Sequence, residues 1–180
     1  MTRTHPNRPF VRDASERDAA ACAAIYAPYV TDTAVSFEAE PPSPAEMAER
    51  IRASSQGHAW LVLEQQGRVV GYAYGAPLHP RAAYRWACEV SVYLEPGRRR
   101  SGGGTMLYNA LLPRLADRGF RVAVAGRTLP NDASVGLHRA MGFEEVGSYR
   151  RIGFEHGAWH DVAMTQRALG DGEDPPSEPS

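Results

Sequence analysis

Glu89-Val90-Ser91-Val92-Tyr93-Leu94-Glu95-Pro96-Gly97-Arg98-Arg99-Arg100-Ser101-Gly102-Gly103-Gly104-Thr105 is the stretch on which the architecture turns. Its first six residues alternate: Val90, Val92 and Leu94 share one face, and Glu89, Ser91 and Tyr93 share the other. That period of two describes a strand buried on one side. Beyond Thr105, Met106, Leu107, Ala110, Leu111 and Leu115 recur along one side of a helix. The connection between them is rich in arginine and glycine. Glycines let a backbone turn tightly and approach a ligand closely. A helix start offers unpaired N–H groups and a positive dipole end, which together attract phosphate. The arginines add charge-assisted bonds suited to a pyrophosphate. The lysine of the Walker loop and the G-x-G-x-x-G spacing are both absent. On its residues alone the connection reads as a phosphate loop or as a basic, flexible link.

Working outward, Ser15 with Asp18 opens a helix in which Ala21, Ile25 and Tyr29 share a face. Ser43-Pro44-Ala45-Glu46 is a capping box with proline at the first helical position, and Met47 and Ile51 form the buried stripe behind it. Residues 60–64 and 69–76 read as strands joined by Gln65-Gln66-Gly67-Arg68, a hairpin. Downstream, Pro113 lies inside the helix after the glycines and predicts a kink or an early end. Residues 121–126 form a further strand. Asn131 to Met141 reads as a short helix stopped by Gly142. Two last strands, 144–154 and 158–166, flank Glu155-His156-Gly157. Helices alternate with strands, yet hairpins stand at both ends. The expected fold is therefore α/β in the α+β sense, with a mixed, largely antiparallel central sheet flanked by helices.

One domain is expected over residues 11–169, preceded by a flexible N-terminal extension (1–10) and followed by a disordered acidic tail (170–180, GDGEDPPSEPS). A length of 180 residues with 43% apolar and 23% charged side chains suits one real hydrophobic core. The net charge of −1 gives no global field for nucleic acid. No apolar run approaches the ~20 residues that cross a bilayer, and the N-terminus lacks the apolar core of a signal peptide. Cys22 and Cys88 have neither metal-site nor disulfide spacing, and the six histidines form no ligand-like cluster. A soluble cytoplasmic protein without metal is the expectation.

Arg99-x-x-Gly102-x-Gly104, between an alternating strand and an amphipathic helix, resembles the acetyl-CoA pyrophosphate loop of the GNAT acetyltransferase superfamily. Ser36-Phe37-Glu38, Glu89-Val90-Ser91-Val92-Tyr93, Leu129-Pro130-Asn131-Asp132, Ser134-Val135, Leu137-His138 and Gly157-Ala158-Trp159-His160-Asp161-Val162 resemble the phosphinothricin N-acetyltransferase family in order and approximate spacing. The resemblance spans Val11 to Arg167.

It implies a GNAT-like fold and transfer of acetyl from acetyl-CoA to the amino group of a small amino-acid-like acceptor, such as phosphinothricin or methionine sulfoximine or sulfone. Glu89 matches the family's catalytic glutamate. An ammonium has no lone pair with which to attack a thioester, so a carboxylate that removes its proton, directly or through water, suits the chemistry. His138 matches a histidine near the thioester, where it would protonate the departing thiolate or orient and deprotonate the amine. Helical spacing of three and four puts Asn131, Ser134 and His138 on one face. The cofactor set is Val92, Tyr93 and Leu94, whose backbone would pair with pantetheine as an added strand; Arg99, Arg100, Ser101, Gly102, Gly103, Gly104 and Thr105 at the phosphates; and Asn131 and Ser134. One strand N–H would hold the developing oxyanion. Phe37, Arg81 and Tyr84 are the acceptor-site candidates. Arginine grips a carboxylate or phosphinate bidentately, and the aromatics wall the pocket. A homodimer is implied by resemblance alone.

Three positions depart from the family pattern. Arg127 replaces an apolar strand residue, which points to an altered acceptor pocket or another bound anion. Arg100 and Ser101 replace the usual glycine–basic pair, and Pro113 stands in mid-helix. Two other readings remain open. One acetylates a different amine (a polyamine, an antibiotic or a protein N-terminus). The other is an acyl-CoA sensor without turnover, against which retention of Glu89 and His138 argues.

Overall fold

The computed structural model describes residues 8–98, 100–170 and 178–180. Its elements run β1 (Phe10–Asp13), α1 (Ala19–Thr31), α2 (Pro44–Gly57), β2 (Trp60–Gln65), β3 (Arg68–Pro77), β4 (Ala87–Leu94), α3 (Gly103–Asp117), β5 (Val122–Thr128), α4 (Asp132–Ala140), β6 (Glu144–Glu155) and β7 (Ala158–Ala168). All seven strands join one sheet in the order β1-β2-β3-β4-β5-β7-β6. Every neighbouring pair is antiparallel except β4 and β5. This is the mixed, mostly antiparallel sheet that hairpins at both ends predict.

Alternation along the strands sorts the core into two layers. Leu61, Leu63 and Val90 pack with Leu107, Leu111 and Leu115 of α3 and with Met141 and Phe143. On the opposite face Trp60, Val62 and Tyr72 pack with Cys22 and Tyr26 of α1 and with Met47 and Ile51 of α2. β2 is thus buried on both sides, which its unbroken apolar run encodes.

Ser43 caps α2 as its sequence requires. Its Oγ accepts from the Glu46 N–H at 3.2 Å, while Glu46 Oε2 accepts from the Ser43 N–H at 2.7 Å. Ser43→Ala is expected to lower unfolding stability by about 1 kcal/mol, a loss that urea titration would read. Ser15 and Asp18 form a second box, but it closes a single 3-10 turn, and α1 starts only at Ala19. The buried stripe of α1 is also rotated from the expected one. Ile25 is buried, yet Cys22, Tyr26 and Val30 lie deeper than Ala21 and Tyr29. Alanine fills so much of this helix that apolarity alone hardly distinguishes its faces. The Tyr29 hydroxyl, which donates to Leu94 O at 2.7 Å, needs a half-buried position.

The early end expected at Pro113 does not occur, because α3 runs through it to Asp117. Proline removes one backbone bond, but burial of Leu107, Leu111 and Leu115 along one face holds the helix across the gap. β1 starts at Phe10, one residue before the expected domain boundary. The extension at 1–7 and the tail at 171–177 lie outside the described residues. At the far C-terminus Glu178 pairs with Arg85 at 2.8 Å, and the Ser180 N–H donates to Arg118 O at 2.9 Å.

Candidate active site

β4 and β5 pair only at Ala87–Val122, Cys88–Ala123 and Glu89–Val124. β4 then continues to Leu94 and β5 to Thr128 without pairing to each other. The two strands therefore part into a wedge whose vertex is Glu89. Val92, Tyr93 and Leu94 lie along its β4 side. The Leu94 carbonyl already accepts from Tyr29, and the Tyr93 ring is taken up in an aromatic cluster, 4.9 Å from Tyr26 and 5.4 Å from Tyr72. Any role for these residues toward a ligand falls to their backbone groups.

Glu89 alternates with the buried Val90, so it points to the α1/α2 face of the sheet. It keeps contact with solvent. The surrounding protein nonetheless strips part of its hydration shell, which raises its carboxyl above the ordinary glutamate range. Its charge is felt by two tyrosines, Tyr74 and Tyr108, whose hydroxyls burial already pushes up. Tyr108 belongs to α3 on the other face, so Glu89 acts on it across the wedge.

The connection from β4 to α3 sorts its arginines. Arg98 is committed to the fold, donating to Glu95 at 2.9 Å and to Gln65 at 2.6 Å. Arg99 lies outside the described residues, and Arg100 and Ser101 are exposed. Arg100 (φ 62°) and Gly102 (φ 78°) are both left-handed. The N–H groups of Gly103, Gly104 and Thr105 open α3, ahead of the first bond within the helix, Met106 N–H to Gly102 O at 3.0 Å. The three glycines divide the work. A Cβ at Gly102 would meet nothing within 4 Å, whereas one at Gly103 would come within 2.8 Å of Leu63 and one at Gly104 within 2.8 Å of Leu137. Gly102 leaves room for a ligand. Gly103 and Gly104 are buried, and the lack of a side chain there brings α3 against β2 and α4.

Ser134 and His138 meet on one face of α4 as their spacing predicts, with Ser134 Oγ 3.2 Å from His138 Nδ1, whereas Asn131 stands just ahead of the helix instead of inside it. Asn131 Oδ1 accepts from the Ser134 N–H at 3.1 Å and caps α4. His138, however, is buried and faces inward. Its Nδ1 lies 2.8 Å from Ser134 O, and a carbonyl only accepts, so Nδ1 carries the proton. Nε2 is then the acceptor for the Tyr108 hydroxyl at 3.2 Å. Burial is the largest cause holding the imidazole pKa below its ordinary value, which favours the uncharged ring.

The acceptor candidates occupy two separate places. Arg81 and Tyr84 sit on the exposed loop leading into β4, where the Tyr84 ring lies 4.8 Å from His79, tilted by 39°. Phe37 comes from the α1–α2 loop and lies over the β6–β7 hairpin, its ring 6.2 Å from His160. No hydrogen bond or ring contact joins Phe37 to Arg81 or Tyr84 among the described residues.

The family model described as the acetyltransferase (GNAT) domain matches residues 11–164. The chain belongs to the GNAT acetyltransferase family. It is 40% identical to a phosphinothricin N-acetyltransferase of Streptomyces viridochromogenes, over 87% of this chain and 86% of that one. It is 34% identical to an L-methionine sulfoximine/L-methionine sulfone acetyltransferase of Pseudomonas aeruginosa, over 88% and 94% respectively. A crystal structure of a GNAT superfamily phosphinothricin acetyltransferase from Sinorhizobium meliloti with acetyl-CoA superposes with a TM-score of 0.88 at 37% identity, covering 96% of this chain and 93% of that one.

Within this acetyltransferase, sequence reasoning passed over Tyr108. It is fully buried in the stripe of α3, and a hydroxyl there requires a partner. That requirement was the available signal. Arg127 shares the face of Ala123 and Ala125, beneath α4 and opposite to Glu89. Its Nη2 is 3.7 Å from Glu145, and its Nε and Nη1 are buried without a hydrogen-bond partner among the described residues. It is not placed on the Glu89 side of the sheet. Among the described residues no three histidine, cysteine, aspartate or glutamate side chains gather as a metal site would require.

Proposed function

We propose that this acetyltransferase transfers acetyl from acetyl-CoA to the amino group of a small amino-acid-like acceptor, phosphinothricin or methionine sulfoximine or sulfone, with Glu89 as general base. The position of Glu89 at the vertex of the wedge carries this reading. Acetyl-CoA, when bound, supplies the activated acetyl thioester. The exposed left-handed turn at Arg100–Gly102 and the first N–H groups of α3 suit its diphosphate, and the open β4 edge suits its pantetheine amides. Glu89 takes the proton from the acceptor ammonium, which frees the nitrogen lone pair. The C–N bond then forms as the C–S bond breaks, and the second proton lost by the nitrogen ends on the departing sulfur, so that CoA leaves as the thiol. A carboxyl raised above the ordinary range is a better-matched base near neutral pH. His138 is bonded to both Ser134 O and the Tyr108 hydroxyl, so its role is to hold Tyr108 and α4 in place beside the wedge. Arg81, with Tyr84 beside it on the loop into β4, offers its guanidinium to the acceptor's acidic group, while Phe37 walls the acceptor from the separate β6–β7 side.

Thiol release across a panel of amines tests the substrate class. Turnover with phosphinothricin or methionine sulfone is expected. Turnover with a polyamine, an aminoglycoside or a peptide N-terminus, and with neither amino acid, would refute it. The pH profile tests the base. kcat/KM for the acceptor should fall as pH drops through the Glu89 pKa, with that limb above the ordinary glutamate range. Glu89→Gln should lose that limb. We further propose a homodimer formed at β6, a sheet edge where Val146, Tyr149, Ile152 and Phe154 are each more than half exposed. A monomeric mass by light scattering would refute that. Cytoplasmic residence fits Cys22 and Cys88, both buried and unpaired, with thiols that burial pushes up to about 12. No helix among the described residues is long and apolar enough to cross a membrane.

A further inference from the structure

Gly153 of β6 stands opposite His160 of β7. A Cβ built on it would meet the Phe37 ring at 2.4 Å, where ordinary contact begins near 3.4 Å. The ring therefore occupies the space that any other residue at 153 would fill. The contact lies on the Glu89 side of the sheet. Glu89 pairs with Val124, and the same face continues through Gly126 to Met164 and Val162, whose side chains a Cβ on Gly126 would touch at 3.2 and 3.6 Å. His160, two residues before Val162 in β7, lies on that face as well.

Phe37 has little freedom to answer by moving its backbone. The Glu38 N–H donates to Ser36 Oγ (3.2 Å), Ser36 Oγ donates to the Tyr26 hydroxyl (2.6 Å), and Tyr26 donates to Glu38 Oε1 (2.9 Å), which closes a ring of bonds around the loop. Arg50 grips Glu38 bidentately at 2.7 and 2.8 Å. His156 Nε2 donates to Thr33 O at 3.0 Å and ties the hairpin to the same loop. Both neighbours of Phe37 are held, so an intruding methyl group displaces the ring itself. The ring, 41% exposed, can only swing toward its open side.

We infer that Gly153 is a positioning residue for acceptor recognition: its missing side chain seats the Phe37 ring and so sets the wall that faces Glu89. The inference rests on the proposed role of Phe37 as a wall of the acceptor site. A double-mutant cycle separates the two. Steady-state constants are measured for Gly153→Ala, Phe37→Ala and the double variant, with methionine sulfone and alanine as acceptors. Phe37→Ala is expected to change the ratio of kcat/KM between the acceptors by about tenfold. Gly153→Ala must shift the ring by about 1 Å, so it should lower kcat/KM for methionine sulfone by about tenfold to a hundredfold. Most of that loss should appear in the acceptor KM, with the acetyl-CoA KM within about twofold. The double variant should match Phe37→Ala within about twofold, because no ring remains to displace.

A Phe37→Ala variant with unchanged selectivity would remove both the wall and this inference. A shift in Phe37→Ala without one in Gly153→Ala would overturn the inference alone. So would a double variant that falls well below Phe37→Ala, and that comparison holds even if Gly153→Ala alone does not fold.

Discussion

Glu89→Gln is expected to lower turnover by about two to four orders of magnitude while acetyl-CoA affinity stays within about twofold. In barrier terms that is about 3–5 kcal/mol. Glutamine keeps the size and shape of the side chain but accepts no proton, so the acceptor amine would depend on bulk solvent for its free-base form. Glu89 is solvent-exposed at the vertex of the wedge, so the exchange should leave the melting temperature nearly unchanged. Its carboxyl is raised by partial desolvation, which disfavours the charged form. The expected signature is therefore twofold: a fall in kcat, and loss of the acid limb that the raised carboxyl places in the wild-type profile. High pH should restore part of the variant's rate, because a larger share of the amine is then already deprotonated. Unchanged turnover with the limb intact would remove Glu89 from the mechanism.

The elements behind this site were legible where a period or a cap carried them. The alternation of residues 89–94, the stripe of α3 and the Ser43 capping box all appear where local pattern puts them. Ser134 and His138 meet as their helical spacing of four requires, whereas Asn131 reaches Ser134 as the cap ahead of the helix. What could not be read is how faces meet. The wedge arises because β4 and β5 stop pairing beyond Glu89 and Val124, a meeting of two strands from distant parts of the sequence that no local pattern announces. His138 turns inward because a buried Tyr108 hydroxyl takes its Nε2, and the two lie 30 residues apart. Gly102, Gly103 and Gly104 look alike as letters, yet one leaves open space and two close helix contacts. Pro113 reads as a stop by local rule, and tertiary burial overrides it.

That division of the glycines makes the last prediction specific. Gly102→Val is expected to raise the acetyl-CoA KM by about tenfold to a hundredfold, or about 1.4–2.7 kcal/mol of lost binding. Gly102 has φ 78°, a region that a β-branched side chain occupies only under strain. The valine Cβ would meet no protein atom within 4 Å, so the space it takes up is open to a ligand and not filled by the protein. Strain would also tilt the first N–H groups of α3 away from a common point. Gly104→Val provides the contrast. Its Cβ would come within 2.8 Å of Leu137 and part α3 from α4, so it should chiefly lower the melting temperature. Calorimetric titration with CoA and thermal unfolding of both variants separate the two effects. If Gly102→Val bound CoA normally while folding normally, the turn would not be the diphosphate site, and the cofactor's anionic end would have to lie elsewhere along the wedge.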